Sequence, residues 1–419
     1  MKILLIAYAF PPLLEAQSIR WAYISKELIQ KGVSVDVFTI KLPKGYGDPD
    51  CLPHPQIKIY PTFPGPIEGM FFIFKKDFLK DGLNVRENTK RKGIFIIGKH
   101  FYKLTRNTLN NVLIPDIRTE WFPFAFIKLR EILNKNSYDI IVSSHEPGVC
   151  HLLGLCAKKL KNIIWIGDFG DPFVTIYTPR YRRPIDKTLE RILLQNMDHI
   201  LLTNNYFKEI YCKKYKLSAN KITIIPQGFN TSEKISYIKN NTFTIIYTGT
   251  FYKKFRSPKN LIKALQILKD KIPFKFILAG RNEQFLKDFQ TLGESFEFLG
   301  LISHKETLIQ QAKADLLINI ANDQPEQIPG KGYEYLGSKR PILYISNFDD
   351  EYAQLIKRIN RGLVVKNDAI ALVKALSKIY DLWYHDELDQ AFYLGIDRCK
   401  EFSWLHITEK FLNLLNQLK

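Results

Sequence analysis

The chain lacks the residue patterns that mark metal centres, disulfide frameworks and membrane spans. It has only five cysteines in 419 residues, no Cys-x-x-Cys pair and no Cys/His run with metal-ligand spacing. It has no apolar run approaching the roughly 20 residues that a membrane-spanning helix needs, and no cluster of acidic residues that offers metal ligands. These absences predict a cytoplasmic protein with reduced thiols, no metal or other cofactor, and no membrane span.

Acidic residues are scarce relative to basic ones. The 61 Lys and Arg residues outnumber 42 Asp and Glu residues, which gives a formal net charge of +19. Such a balance favours an anionic partner, whether nucleic acid, an acidic membrane surface or a phosphorylated substrate. No RNA- or DNA-binding motif accompanies the charge, so we expect no specific nucleic-acid partner.

The hydrophobic pattern predicts two series of alternating β-strands and α-helices, and a length of 419 residues suggests two domains. The first series opens with "KILLIAYAF", which we interpret as a buried strand and not a signal peptide, followed by "SIRWAYISKELIQKG" as a helix and "VSVDVFTI" as a strand. Such a βαβ opening is typical of parallel sheets. Its later strands are "YDIIVSSH", "NIIWIGDFGDP", "DHILLTNN" and "KITIIPQGF"; those of the second series are "TFTIIYTGTF", "FKFILAGR", "FEFLGLI", "ADLLINIA", "PILYIS" and "RGLVVKN".

A polar stretch over residues 231–241 separates the two series. We therefore predict an α/β protein with a first domain over 1–232 and a second over 233–395. A closing amphipathic helix follows over 396–419, with apolar residues at helical spacing. These are Phe402, Leu405, Phe411 and Leu415.

Residues 75–109 interrupt this alternation with ten basic and only three acidic residues, interleaved with Phe and Ile. One interpretation is a solvated helix face with a core-facing side. The other is an interfacial membrane contact, in which apolar side chains enter the bilayer surface and basic residues meet anionic lipid. The sequence supports the two interpretations about equally.

Polar residues follow several of the predicted strands. Because ligands of parallel α/β sheets bind at the carboxyl ends of the strands, these residues are candidates for a site. In the first series they are Ser143, Ser144, His145, Asp168 and Asp171, and in the second Gly249, Gly280, Arg281 and Gly300.

The stretch "QPEQIPGKGYEYLGSKRP", residues 324–341, places Glu326 and Glu334 on either side of a Pro-Gly-Lys turn. The pattern predicts a turn followed by a short helix, where Gly330 and Gly332 allow the backbone to approach a ligand. Free N–H groups at that end attract phosphate, and Lys331 adds positive charge. Carboxylates accept hydrogen bonds from paired hydroxyls, so the stretch suits a sugar nucleotide.

The Glu-x7-Glu spacing with "IPGKGYEYLGSKRPIL" closely resembles the retaining GT-B glycosyltransferases of family 4. Further segments agree in order over nearly the whole chain, among them "AYAFPP", "DIIVSSHEP", "DFGDPF", "ITIIPQGFN", "IIYTGTFY" and the late "FSW". The resemblance implies that Glu326 contacts the donor sugar, Glu334 holds the nucleotide ribose and Arg256 binds the diphosphate. It implies that His145 lies close to the transferred sugar. Asp171 belongs to a "DFGDP" segment of bacterial surface-polysaccharide members, with no assigned role.

The family resemblance also implies the overall reaction. Two Rossmann-like domains would face a cleft, with the nucleotide sugar held mainly by the second domain through Gly249, Arg256, Arg281, Gly330, Lys331, Gly332 and Glu334. The first domain would hold a glycan acceptor that is lipid-linked in surface-polysaccharide assembly. A hexose-type sugar would be transferred with retention at the anomeric carbon, by an enzyme peripheral on the inner face of the plasma membrane. The last helix would cross back onto the first domain.

Two positions depart from the family pattern. Leu14 and Glu15 occupy the place of a Gly-Gly pair that meets the diphosphate, and a glutamate there must turn away from a diphosphate. Thr250 occupies the place of a basic residue, so either Lys253 or Lys254 substitutes for it or this charge is lost. The rival functions are a hydrolysing sugar-nucleotide epimerase of the same fold and a non-enzymatic binder of anions or nucleic acid.

Overall fold

The computed structural model describes residues 1–81, 108–109, 112–175, 178–230 and 237–419, with the side chains of 74–81 excepted. Most of the basic segment 75–109, including the apolar run after residue 93, therefore lies outside the described residues. So does part of the polar stretch 231–241. The membrane interpretation of the basic segment accordingly stays a prediction.

The first sheet consists of seven described parallel strands in the order β3-β2-β1-β4-β5-β6-β7. The strands are β1 (Lys2–Ile6), β2 (Ser34–Ile40), β3 (Lys58–Thr62), β4 (Ile140–His145), β5 (Ile164–Phe169), β6 (His199–Leu202) and β7 (Ile222–Ile224). All except β3 were predicted. β3 was missed because it is short and contains Pro61, which a strand tolerates only at a sheet edge.

The helices connected to this sheet are α1 (Ala16–Gln30), α2 (Pro66–Asp81), α3 (Phe122–Lys135), α4 (Val149–Lys161), α5 (Arg183–Asn196) and α6 (Asn205–Tyr215). Helix α1 ends as predicted, and Gly32 follows it with φ of 81°. The residues that α1 buries are not the same as those that its apolar spacing indicates. Trp21, Ile24 and Leu28 are buried together with small polar residues, whereas Ile19 and Tyr23 are only partly covered.

The second sheet consists of six described parallel strands in the order β10-β9-β8-β11-β12-β13. They are β8 (Phe243–Thr248), β9 (Phe274–Ala279), β10 (Phe296–Gly300), β11 (Leu316–Ile320), β12 (Ile342–Ile345) and β13 (Gly362–Val365). The associated helices are α7 (Lys259–Leu268), α8 (Leu286–Phe289), α9 (His304–Lys313), α10 (Gly330–Gly337), α11 (Glu351–Ile359), α12 (Ala369–Tyr384), α13 (Leu388–Ala391) and α14 (Trp404–Leu418). Central strands such as β8 and β11 are buried along their whole length, which explains their continuous apolar sequences. These two parallel sheets confirm the predicted α/β architecture of two Rossmann-like domains.

The chain divides into two compact units. The first comprises Met1–Thr203, Lys208–Ile225 and Phe411–Lys419, and the second comprises Asn204–Phe207 and Pro226–Lys410. No helix in the described part of the chain is long and apolar enough to cross a membrane.

The last residues of α14 pack within the first unit. Phe411 and Leu415 are buried, and the Phe411 ring meets Trp21 of α1 edge-on at 5.8 Å. The prediction was wrong for Leu405, which is 40% exposed. Asp139 holds this end in place: its Oδ2 accepts a hydrogen bond from the Lys2 backbone at 2.7 Å, and its Oδ1 lies 2.9 Å from Lys419 Nζ.

Candidate functional site

In the second unit, a glycine directly follows the carboxyl end of each of the neighbouring strands β8 and β9. Gly249 and Gly280 have φ of 113° and 118°, a conformation that disfavours other residues. A Cβ on Gly280 would lie 2.3 Å from the Gly249 carbonyl oxygen, so only glycine fits there. Asn282 donates from Nδ2 to that carbonyl at 2.8 Å and accepts from the Phe251 N–H. Gly249 is thus held at an edge where backbone can meet a ligand.

Helix α10 begins beside this edge, as "PGKGYEYLG" predicts. Its Gly332 has no room for a side chain, because a Cβ would lie 2.7 Å from both Asn319 Nδ2 and the Tyr352 ring. The Tyr352 hydroxyl donates to the Gly332 carbonyl. At Gly330, a Cβ would lie 3.1 Å from Gln227, so this glycine also allows close packing. Pro329 precedes the helix in an extended conformation.

Glu334, in this helix, is oriented by two side chains from α9. His304 Nε2 lies 2.8 Å from Glu334 Oε2, and Gln311 Nε2 donates to Oε1 at 2.7 Å. Gln311 also donates to the Thr248 hydroxyl at the end of β8. Burial acts to raise the pKa of Glu334, but the hydrogen bonds from His304 and Gln311 and the nearby Lys331 outweigh it and lower the pKa. Glu334 is therefore a preorganised carboxylate anion.

Lys331 lies directly beside Gly249. Its Nζ donates to the Thr248 carbonyl at 3.1 Å and lies 3.3 Å from the centre of the Tyr247 ring. Burial, followed by the neighbouring charge of Arg256, lowers the pKa of Lys331 well below its usual value, and Glu334 acts in the opposite direction. An anion bound here would stabilise the protonated amine.

Lys253 and Lys254, one of which was expected to supply the missing charge after Gly249 unless that charge is lost, are both exposed to solvent, and the expectation stays a prediction. The basic side chain next to Gly249 is Lys331, and a Cβ on that glycine would lie 3.6 Å from its Nζ. The Pro-Gly-Lys motif had already indicated Lys331 as a source of positive charge.

Arg256 ends a tight turn in which Tyr252 and Arg256 exchange two backbone hydrogen bonds. Its guanidinium donates through Nε and Nη2 to Asn322 Oδ1 at 3.0 and 2.6 Å. Asn322, after β11, in turn donates to the Gln327 carbonyl. Arg256 is therefore held near Lys331, and its charge is one cause of the lowered pKa of that lysine.

The two remaining candidate residues of the second unit, Glu326 and Arg281, have fewer side-chain partners. Glu326 is partly buried, and its carbonyl oxygen accepts from Asn204 Nδ2 at 2.9 Å. Its carboxylate has no hydrogen-bond or ion-pair partner among the described residues. Arg281 is exposed directly after Gly280 and likewise has no such partner in the described part of the chain.

In the first unit, His145 is the last residue of β4 and is only 5% exposed to solvent. Burial lowers the pKa of His145 to about 4, so the imidazole is neutral near pH 7. Its ring stacks on Phe173 at 5.5 Å, and it hydrogen-bonds the backbone of Asp171. Its Nδ1 has no hydrogen-bond partner among the described residues. His145 and Asp171 are thus neighbours, as their strand-end positions predict.

Two other polar residues of the first unit have structural partners. Asp168 is fully buried, forms an ion pair with Arg20 at 3.0 Å and accepts from Trp21 Nε1 at 2.8 Å. It therefore stabilises the packing of α1 on β5, which removes it from the candidates. Glu15 pairs with Arg118, whose Nη2 lies 2.9 Å from Glu15 Oε1. This pairing compensates the charge of the glutamate that replaces the family glycine.

Sequence reasoning missed four side chains that hold the predicted residues: Asn282, His304, Gln311 and Asn322. His304 carried a usable signal, because it follows Ser303 in a Ser-x-x-Glu helix start. The Ser303 hydroxyl accepts from the Glu306 N–H at 3.2 Å. That start, directly after β10, predicts His304 at the carboxyl edge of the sheet. The other three carry no local motif.

Comparisons with known proteins agree with this geometry. The family model described as "Glycosyltransferase Family 4" matches residues 102–233, and that described as "Glycosyl transferases group 1" matches residues 242–381. One curated relative, from Campylobacter jejuni, is named GalNAc-alpha-(1->4)-GalNAc-alpha-(1->3)-diNAcBac-PP-undecaprenol alpha-1,4-N-acetyl-D-galactosaminyltransferase. It is 25% identical over 347 residues, which are 78% of this chain and 89% of the relative.

Solved structures show the same fold. A glycosyltransferase from Rickettsia africae superposes with a TM-score of 0.60 at 16% identity, covering 100% of this chain and 98% of that one. Anabaena HepE in complex with UDP and glucose superposes with a TM-score of 0.65 at 12% identity, with 100% of both chains covered. The two family matches together span most of the sequence, in the predicted order. The chain therefore belongs to the family 4-type glycosyltransferases with the GT-B fold.

Proposed function

We propose that this protein transfers a hexose-type sugar from a nucleotide sugar to a glycan acceptor, with retention at the anomeric carbon. The observation that carries the proposal is the arrangement around Gly249. Glu334 is a preorganised anion, and the basic side chains of Lys331 and Arg256 lie at the same sheet edge, where a bound anion would keep Lys331 protonated. A nucleoside diphosphate has the matching parts, since its ribose presents two adjacent hydroxyls and its diphosphate is negatively charged.

The diphosphate is the proposed partner of Lys331 and Arg256. As the bond to the sugar breaks, negative charge develops on the departing diphosphate. Fixed cations and N–H groups aimed at that charge lower the barrier. The backbone N–H groups at the start of α10 would add to this attraction. No group of three or more His, Cys, Asp and Glu in the described ranges could hold a metal ion. We propose that side chains and backbone supply the charge stabilisation.

Glu326, His145 and Asp171 are the proposed residues of the transfer itself. The Glu326 carboxylate follows β11 without a protein partner in the described residues, which leaves its oxygens available for sugar hydroxyls. The neutral His145 is proposed to lie close to the transferred sugar. The role of Asp171 beyond its backbone contact to His145 is left open.

The acceptor is proposed to be a lipid-linked glycan. The name of the Campylobacter jejuni relative specifies an undecaprenol-diphosphate glycan acceptor, and that protein matches most of this chain. Such an acceptor lies at a bilayer surface, and the net charge of +19 suits a peripheral position on anionic lipid. We place the protein on the inner face of the plasma membrane.

A hydrolysing epimerase is the alternative that the fold alone permits, and one experiment separates the two. Purified protein is first screened by thermal shift against nucleotide sugars, because a ligand at 100 times its Kd stabilises by about 2.7 kcal/mol. The donor identified is then incubated with and without lipid-linked glycans. Sugar transfer that depends on the acceptor, with the donor's anomeric configuration kept in the product by NMR, supports the proposal. Nucleotide release at the same rate without acceptor, or an inverted product, contradicts it.

A further inference from the structure

A fully buried carboxylate lies between two helices of the first unit. Glu190 of α5 is 0% exposed and accepts hydrogen bonds from the hydroxyls of Tyr211 and Tyr215 of α6. Lys214 Nζ lies 3.2 Å from the same carboxylate. A buried carboxylate is costly unless such donors satisfy it. Three donors from one helix therefore fix the Glu190 oxygens and both phenol groups.

Tyr211 differs from Tyr215 in one contact. Its hydroxyl oxygen accepts a hydrogen bond from the Phe173 N–H at 3.1 Å. Tyr215 makes no hydrogen bond or ring contact with the loop 170–175 among the described residues. Burial, and then the charge of Glu190, raise the pKa of Tyr211 well above its usual value, so its phenol keeps its proton. Because that proton is donated to Glu190, a lone pair of the oxygen is left for Phe173.

The loop held by Tyr211 is the one that contacts His145. The Phe173 ring stacks on the His145 ring at 5.5 Å with an angle of 24°. It also packs over Gly148, where a Cβ would lie 2.6 Å from the ring. The backbone of Asp171, two residues earlier, hydrogen-bonds His145. A shift of the Phe173 backbone would therefore move both contacts of His145 with this loop.

We propose that Tyr211, oriented by Glu190, is a positioning residue that holds the 171–173 backbone against His145. The inference rests on the proposed function for its effect on turnover, since His145 and Asp171 are reaction residues only under that proposal. Tyr211 itself is enclosed by Glu190 and the loop. It acts through Phe173 and not on the substrate.

The test compares Tyr211→Phe with Tyr215→Phe. Each variant removes one hydrogen bond to Glu190, and Tyr211→Phe should lose more thermal stability than Tyr215→Phe because it also leaves the Phe173 N–H without its acceptor. Only Tyr211→Phe removes the acceptor of the Phe173 N–H. We expect its kcat for transfer to fall about 10-fold, which corresponds to roughly 1.4 kcal/mol, while donor KM and UDP affinity stay unchanged. Tyr215→Phe should keep kcat within about twofold.

A second measurement is independent of activity. Amide hydrogen exchange at Phe173, followed by NMR, should accelerate at least about 10-fold in Tyr211→Phe, since a hydrogen bond protects that amide. It should be unchanged in Tyr215→Phe. Equal exchange rates at Phe173 in both variants, or equal losses of kcat, overturn the inference.

The design separates this inference from the proposed function. If the wild-type protein transfers no sugar to any acceptor, the proposed function fails, and the exchange measurement still decides whether Tyr211 holds the loop. If Tyr211→Phe does not fold, Glu190→Leu serves in its place, because an apolar side chain of similar size removes the acceptor that orients Tyr211. Its Phe173 amide should then exchange faster than in Tyr215→Phe, and an equal rate overturns the inference.

Discussion

Replacement of Glu334 by alanine removes the carboxylate proposed to hold the nucleotide ribose. A carboxylate offers about four acceptor positions on its two oxygens. His304 uses one on Oε2 and Gln311 uses one on Oε1. About one position is left on each oxygen, which matches the two adjacent hydroxyls of a ribose. The fixed orientation means that Glu334 need not reorganise to bind them.

The expected loss follows from this geometry. A hydrogen bond to a charged group contributes about 1.5–3 kcal/mol, so Glu334→Ala should weaken UDP or GDP binding by about 12- to 150-fold. The fold should survive, because Gln311 keeps its bond to the Thr248 hydroxyl and His304 is partly exposed. A thermal unfolding curve checks this. Glu326→Gln is the matched control, since it changes the other glutamate of the motif and should leave UDP affinity unchanged.

Calorimetry with UDP and 2′-deoxy-UDP makes the assay specific to the ribose. The wild-type protein should bind the deoxy nucleotide more weakly, because one hydroxyl is lost. In Glu334→Ala the difference between the two nucleotides should vanish. If the ratio of the two affinities is the same in mutant and wild type, Glu334 does not bind the ribose, whatever happens to UDP affinity alone.

Three further outcomes are expected. Glu326→Gln should lower transfer turnover more than nucleotide affinity, because charge is lost where the donor sugar is proposed to lie, and normal turnover would remove it from the reaction centre. Lys331→Met should weaken UDP binding but not uridine binding, measured by calorimetry, since only UDP carries the diphosphate; equal losses for both ligands would contradict the assignment. Changing Lys90, Arg91 and Lys92 to Glu should abolish sedimentation with anionic liposomes at low salt, since each basic residue contributes about 1 kcal/mol at such a surface, and should leave UDP binding intact. If the wild type does not pellet with anionic liposomes, or the triple variant pellets equally well, the segment is a solvated helix face.

The strands were predictable because parallel strands are buried on both faces and leave continuous apolar runs. The buried face of α1 was not, because it includes Arg20 and Ser25, polar residues that apolar spacing ignores. Arg20 is tolerated there because Asp168 and the Ile225 carbonyl, both far along the chain, accept its hydrogen bonds. Polar residues at strand ends are therefore ambiguous until their partners are known.

The candidate site, like the fold, was predictable from the sequence only in part. Glu334, Lys331 and the glycines lie in one short motif, which the sequence displays directly. Their partners come from other elements: Gln311 of α9 donates to Glu334, and the Thr248 carbonyl of β8 accepts from Lys331. Those contacts depend on the registers of the strands, which no local pattern encodes.

The contacts of Asp139 have a consequence for how the protein is made. Its carboxylate joins Lys2 to Lys419, and the Phe411 ring packs on Trp21. Residues 411–419 leave the ribosome only after the whole second unit has been synthesised. Until then the nascent first unit exposes the apolar surface that Phe411 and Leu415 will cover. Its core must therefore be completed after translation of the second unit, and ribosome-bound chains that end near residue 225 should be readily cleaved by proteases.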